Sequence, residues 1–408
     1  MGKVLGVVAE YNPFHNGHLY HLNKSKEICN ADAVVCVMSG NFTQRGDTSI
    51  IDKWAKAEMA LSSGVDLVIE LPSVYAVSSA EHFAYGSVRI LDSLKIVDNI
   101  SFGSECGDLS VLNEFAEILH NEPKEYTTLL SHELSKGISY PRARENALMM
   151  YLNDVRKYAN ILSDPNNILG IEYLKAIKKL KSSIVPVTIE RSSVAYNSTE
   201  TNNNFASSTG IRKLLCNNKD IKKYVPLQTY KIMEKHMKYG QIVQDISAFE
   251  KEILYTFRRM TTSEIASLPD VSEGLEERIK NAANTSSNLA DFVSKIKTKR
   301  YTLTRIQRIL LYALLVITKE HVELANKTVP YIRILGMTKK GKQLLSEIKK
   351  KNPKLKVITS VKDFVESNKN KTYEELLEID IFATNVYTLA YEYEPLANLD
   401  YTKKLITN

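Results

Sequence analysis

The chain has 408 residues, 44% hydrophobic and 25% charged, proportions that exclude a disordered or fibrous protein and leave room for two or three domains. Lys plus Arg outnumber Asp plus Glu by 54 to 47, a formal net charge of +7. That mild basic excess permits a polyanionic partner such as nucleic acid without requiring one.

The first apolar run, Lys3 to Ala9, reads as a short strand that ends in the polar loop Glu10 to Asn16. The spacing from His18 to Cys29 suits a helix. Ala33 to Met38 is a continuous β-rich run, Trp54 to Ser63 a helix, and Asp66 to Leu71 a buried-type strand stopped by Pro72. Ala80 to Leu94 again reads as helix and Asn99 to Phe102 as strand. Short apolar strands alternating with longer helices predict βαβ units on a parallel sheet. Further strands are expected at Ile184 to Ile189 and at Asn160 to Leu162, followed by a polar loop over Asn197 to Asn204. From Leu227 to Glu323 nearly every segment has helical period, with breaks at Pro269-Asp270 and Asn284 to Ser286. In the tail, Ile332 to Leu335 and Lys356 to Thr359 read as strands flanking the Lys-rich helix Lys339 to Lys351. The expected fold class is α/β. A Rossmann-like parallel sheet over residues 1–225 precedes a mainly helical region, 226–408, with a small α/β tail.

Four scattered cysteines (Cys29, Cys36, Cys106, Cys216) form no CxxC pair, so a structural zinc site is not expected and a reducing, cytoplasmic setting is. No apolar run reaches the length of a membrane span, and the N-terminal one is too short for a signal peptide. No membrane partner is therefore expected.

The strongest local signal is Tyr11-Asn12-Pro13-Phe14-His15-Asn16-Gly17-His18, between the first strand and the first helix. Open α/β sheets bind ligands at the carboxyl ends of their strands. Two imidazoles can donate to phosphate oxygens, Gly17 allows a tight turn and close approach, and a helix start attracts anions. Alone, the four residues His15 to His18 could equally be two surface histidines beside a turn. Ser207, Ser208 and Thr209 stand at a helix start with Arg212 one turn in. They can bind phosphates, or be a plain N-cap with a solvated arginine. The two segments together, in one α/β domain, are more specific than either and point to ATP.

The pair resembles the HIGH-type nucleotidyltransferase superfamily. The longer strings GVVAEYNPFHNGHLYHL, VMSGNFTQRGD, DKWAKAEMAL, GVDLVIELP, FGSE, PNNILGIEYLKAI and KRYTLTRIQRILLYALL closely resemble the tRNA(Met) cytidine acetate ligase family over nearly the whole chain. The resemblance implies a two-step enzyme. Acetate attacks the α-phosphate of ATP to give acetyl-adenylate and pyrophosphate. The acetyl group then passes to N4 of the wobble cytidine, position 34, of elongator tRNA(Met), giving N4-acetylcytidine and AMP. It also implies an ATP site made of Val7, Val8, Ala9, Glu10, Tyr11, Asn12, Pro13, Phe14, His15, Asn16, Gly17, His18, Leu19 and Tyr20, with Gly103, Arg191 and one of Asn166 and Asn167.

Within that scheme His15 and His18 are the expected catalytic pair, acting by positioning and electrostatics because acetate is itself the nucleophile. Mg²⁺ is expected with the phosphates, yet no dedicated protein cage is evident; Glu105 and Asp52 read better as solvated or paired carboxylates. Lys53 and Lys56 read as the exposed face of a helix that buries Trp54, or as contacts to phosphate. Arg45 in its loop and Lys299, Arg300, Arg305 and Arg308 in a basic stretch are the expected tRNA contacts, with Tyr301 and Tyr312 more suited to packing. Two alternatives are an adenylyltransferase acting on a small metabolite and a catalytically inactive, nucleotide-dependent RNA-binding protein.

Overall fold

Strand β1 (Lys3–Ala9) sends alternate side chains to opposite faces, as a pleated strand must: Leu5 and Val7 enter one apolar cluster and Val4 the other. Strand β2 (Ala31–Ser39) divides likewise, Val34, Cys36 and Met38 against Ala33, Val35 and Val37. Both strands therefore need cover on two sides. Helix α1 (Asn16–Cys29) and helix α2 (Lys53–Ser62) cover one face through Leu22, Ala57 and Met59. Helices Ala80–Ser93 and Pro165–Leu180 cover the other through Phe83, Leu91 and Ile171. The computed structural model describes residues 2–153, 161–191, 205–272, 274–328, 331–368 and 370–407.

Strands β3 (Leu67–Leu71), β4 (Asn99–Ser104) and β5 (Val185–Glu190) complete a parallel sheet in the order β5-β4-β1-β2-β3. The strand expected at Asn160 to Leu162 does not form: Ile161 and Leu162 lie in a turn, packed into the core by their side chains rather than paired, and Asn160 lies outside the described residues. The polar loop expected at Asn197 to Asn204 also lies outside them.

The tail strands extend this same sheet. Strand β6 (Tyr331–Met337) pairs antiparallel with β3, while β7 (Lys356–Ile358) and β8 (Ile406–Thr407) run parallel to β6. A buried ion cluster fixes the seam. Lys53 Nζ meets Glu70 at 2.9 Å and Asp400 at 2.7 Å, and Arg333 meets Glu70 at 3.0 Å and also Asp400. These groups tie α2, β3, β6 and the short helix Leu399–Thr402 together. Between β5 and β6 lie the helices Ser208–Cys216, Leu227–Lys238, Glu250–Arg259, Leu275–Thr285, Leu289–Ile296, Leu303–Leu314 and Lys319–Lys327, with shorter turns. The Lys339–Lys351 helix buries Gly341, Leu344, Leu345 and Ile348, which leaves its closing lysines on the exposed side.

Candidate functional site

The sheet order reverses between β1 and β4, and the loop after β1 opens at that switch point, where open α/β sheets take ligands. Its path is held from outside. Asn12 Nδ2 donates to the Thr48 carbonyl at 3.0 Å, and Ile50 N donates to Asn12 Oδ1 at 2.7 Å. Phe14 is fully buried, with its ring 4.7 Å from Tyr11 and 5.6 Å from His18. Val7 points into the core, so a ligand can meet only its backbone, whereas Val8, Ala9 and Leu19 are half-buried and Tyr20 is exposed.

The two histidines cap one another. His18 N donates to His15 Nδ1 at 3.3 Å and His15 N donates to His18 Nδ1 at 3.2 Å, a capping box built from imidazoles. The rings stack at 3.6 Å between centroids and 20° between planes. An Nδ1 that accepts a hydrogen bond carries no proton, so each neutral ring holds its proton on Nε2. Burial lowers His15 to about 4, helped by the Arg191 charge. Burial also holds His18 well below the usual range, followed by the charges of His15, Arg191 and His21. Both are therefore neutral Nε2–H donors near pH 7. His21 lies on the same helix face, is lowered to about 4 by burial and then Arg191, and bonds Ser101 Oγ at 3.3 Å.

Gly17 serves this pair differently from the expected tight turn. A Cβ there would lie 3.0 Å from His15 Cε1, so the missing side chain gives the His15 ring its place. The helix start is also a narrower anion site than its position implies. Asn16 N already donates to the Tyr224 carbonyl at 3.0 Å, and His18 N is taken by His15.

The second motif meets the first through Arg212, whose Nη1 donates to the Asn12 carbonyl at 3.0 Å and whose Nη2 reaches Thr209 Oγ1 at 3.4 Å. Ser207 is the N-cap, accepting from Gly210 N at 3.1 Å; Ser208 is half-buried and Thr209 exposed. On the β4 side, Arg191 lies across Gly103, where a Cβ would sit 3.0 Å from Arg191 Cγ. The Asn166-Asn167 pair divides its work. Asn167 is buried and its Oδ1 accepts from Glu105 N and Cys106 N, shaping the loop after β4. Asn166 is half-buried and donates to Glu105 Oε1.

Glu105 is thus occupied by the two asparagines, and Asp52 caps α2 and accepts from Tyr391 Oη at 3.2 Å. Among the described residues no three His, Cys, Asp or Glu side chains converge to hold a metal, so protein side chains alone build no cage for Mg²⁺, an ion commonly held by one or two carboxylates together with substrate phosphates.

Lys53 and Lys56 correct the sequence reading: both are fully buried rather than exposed on a helix face. Lys53 belongs to the ion cluster. Lys56 Nζ donates to the carbonyls of Glu10, Ser39 and Gly40 and to Ser49 Oγ, all at 3.0 Å or less, and so ties the ends of β1 and β2 beneath the loop. Of the expected RNA contacts, Arg45, Lys299 and Arg300 are exposed. Arg305 instead bonds the Asp270 carbonyl at 2.8 and 2.6 Å, and Arg308 bonds Asp270 Oδ2 at 2.9 Å. They brace the turn between helices. Tyr301 and Tyr312 are buried.

Residues 2–400 match a family model described as HIGH Nucleotidyl Transferase. The tRNA(Met) cytidine acetate ligase of Caldanaerobacter subterraneus is 47% identical over 407 residues, covering 99% of each chain. That of Acetivibrio thermocellus is 45% identical, covering 96% of this chain and 95% of the relative. Among solved structures, Thermotoga maritima TmcAL in an apo form and in a form bound to alpha-thio ATP superimpose with TM-scores of 0.92 and 0.91, each at 36% identity over 99% of both chains.

Proposed function

The chain belongs to the HIGH nucleotidyl transferase family and, within it, to the tRNA(Met) cytidine acetate ligases, and from that premise we propose that it couples acetate to the wobble cytidine of tRNA(Met) at the expense of ATP. An acetate oxygen attacks the α-phosphorus and the bond to pyrophosphate breaks. The N4 amine of cytidine then attacks the acetyl carbonyl, AMP leaves, and the amine loses a proton.

The observation that carries this reading is the reciprocal capping of His15 and His18, which occupies both Nδ1 atoms and leaves two uncharged Nε2–H groups as donors. Preorganised donors stabilise charge that develops in the transition state without reorganising. Arg191 beside the pair and Arg212 on the Asn12 carbonyl supply the fixed positive charge. Mg²⁺ enters with ATP as part of the substrate. Residues 1–225 hold the nucleotide and residues 226–408 carry most of the RNA surface, with Arg45 added from the first part. Lys299 and Arg300 are its exposed cations; Arg305 and Arg308 shape it by holding the Asp270 turn. A tRNA substrate assigns its work to the cytoplasm.

The test is acetate-dependent exchange of pyrophosphate into ATP, with nucleoside mass analysis of tRNA(Met) after incubation with ATP and acetate. Exchange together with N4-acetylcytidine is expected. Exchange without a modified nucleoside would favour a small acceptor. Neither would leave only nucleotide-dependent binding.

A further inference from the structure

The hairpin Asn41 to Ser49 touches both halves of the proposed reaction. Its base is closed by Ser49 N on the Asn41 carbonyl at 2.8 Å and by a bridge between Phe42 and Thr48. On one side it grips the ATP loop: Gln44 N donates to Glu10 Oε1 at 2.7 Å, and Thr48 and Ile50 hold the Asn12 side chain. Gln44 Nε2 adds an anchor on the Ser78 carbonyl at 3.1 Å. On the other side its tip is pressed on the Leu303–Leu314 helix. Gly46 has φ +77°, and a Cβ there would stand 2.5 Å from Arg308 N and from the Gln307 carbonyl carbon, both backbone atoms that cannot rotate away. Asp47 Oδ1 accepts from Ile246 N at 2.9 Å, a second tie to the helical region.

We propose that this hairpin is the spacer between the two half-reactions, with Gly46 and Asp47 as positioning residues that set the distance from the adenylate to the helical region proposed to carry the RNA surface. This rests on the ligase reading above. Adenylation needs only the side that grips Asn12 and Glu10, whereas transfer needs the amine delivered in line with the acetyl carbon. Alanine at Gly46 would force the helix back by about 1 Å to restore ordinary contact, a displacement able to cost about 100-fold in a positioned reaction.

The experiment compares acetate-dependent ATP–pyrophosphate exchange with single-turnover acetyl transfer to tRNA(Met) in the full-length chain. For Gly46→Ala, exchange stays within about 2-fold of wild type, tRNA affinity within about 3-fold, and transfer falls about 100-fold. Asp47→Ala, which adds no bulk and removes the tie to Ile246 N, lowers transfer about 3- to 10-fold with exchange unchanged, and it decides the matter if Gly46→Ala does not fold. Transfer at the wild-type rate in either folded variant, or exchange falling in step with transfer, overturns the proposal. Absence of both exchange and N4-acetylcytidine in the wild type instead overturns the ligase reading, and the spacer with it.

Discussion

The reciprocal cap gives His18 two separable jobs, and two substitutions pull them apart. Asparagine can present an oxygen where Nδ1 stood but has nothing at Nε2, while glutamine can present an N–H near Nε2 but leaves the Nδ1 position empty. His18→Asn should keep the acceptor for His15 N, now supplied at 3.2 Å by His18 Nδ1, and so keep urea stability close to wild type. It should lose the Nε2–H donor, and loss of one such donor lowers turnover by about 100- to 1,000-fold. His18→Gln should do the reverse, losing about 1 kcal/mol of stability with the cap while retaining more exchange activity than His18→Asn. Acetate-dependent ATP–pyrophosphate exchange and urea unfolding read the two effects independently. Full activity in His18→Asn, or a more severe loss in His18→Gln, would refute the assignment of Nδ1 to structure and Nε2 to chemistry.

Arg212→Ala removes the fixed positive charge held beside the ATP loop on the Asn12 carbonyl, and at about 1.5–3 kcal/mol for one charged hydrogen bond to a phosphate the KM for ATP should rise about 10- to 100-fold in the exchange assay. An unchanged KM would leave Arg212 only a brace for the Asn12 loop. Asp400→Ala strips one carboxylate from buried Lys53 and Arg333 and should cost about 3–5 kcal/mol in urea unfolding; a cost under about 1 kcal/mol would mean that the cluster is not closed in solution. Burial, with Arg191, takes His15 down to about 4, so below its unfolded value of about 6.5 the unfolded chain binds the extra proton. The stability His15 contributes is therefore complete above pH 6.5 and is lost progressively as pH falls toward 4. Nitrogen-detected NMR of the ring should give a midpoint near 4 and an Nε2–H tautomer, and a midpoint near 6.5 would contradict the burial.

The sheet was legible because its signals are local. Buried parallel strands such as Ala31–Ser39 are short continuous apolar runs, and Asp52, Ser79 and Ser207 cap the helices that follow them. The histidine loop was legible for the same reason. What could not be read were interactions whose partner lies far along the chain. Lys53 finds Glu70 and Asp400, and Lys56 finds carbonyls at the ends of two strands. Each reads in sequence as an ordinary surface lysine, since a buried cation is recognised only by its partners. Arg308 and Asp270 were both in view, but only the packing of the Leu303–Leu314 helix brings them together. The mutual cap of His15 and His18 was the nearest miss. Spacing of three residues at a helix start is the capping-box spacing, and histidine is simply an unusual residue to fill it.

A crystal of this chain grown with α,β-methylene ATP tests the central claim most directly. The account predicts the α-phosphate within about 3 Å of the Nε2 atoms of His15 and His18, with Arg191 and Arg212 on either side. A triphosphate bound elsewhere, or rings whose Nε2 atoms face away from it, would contradict it.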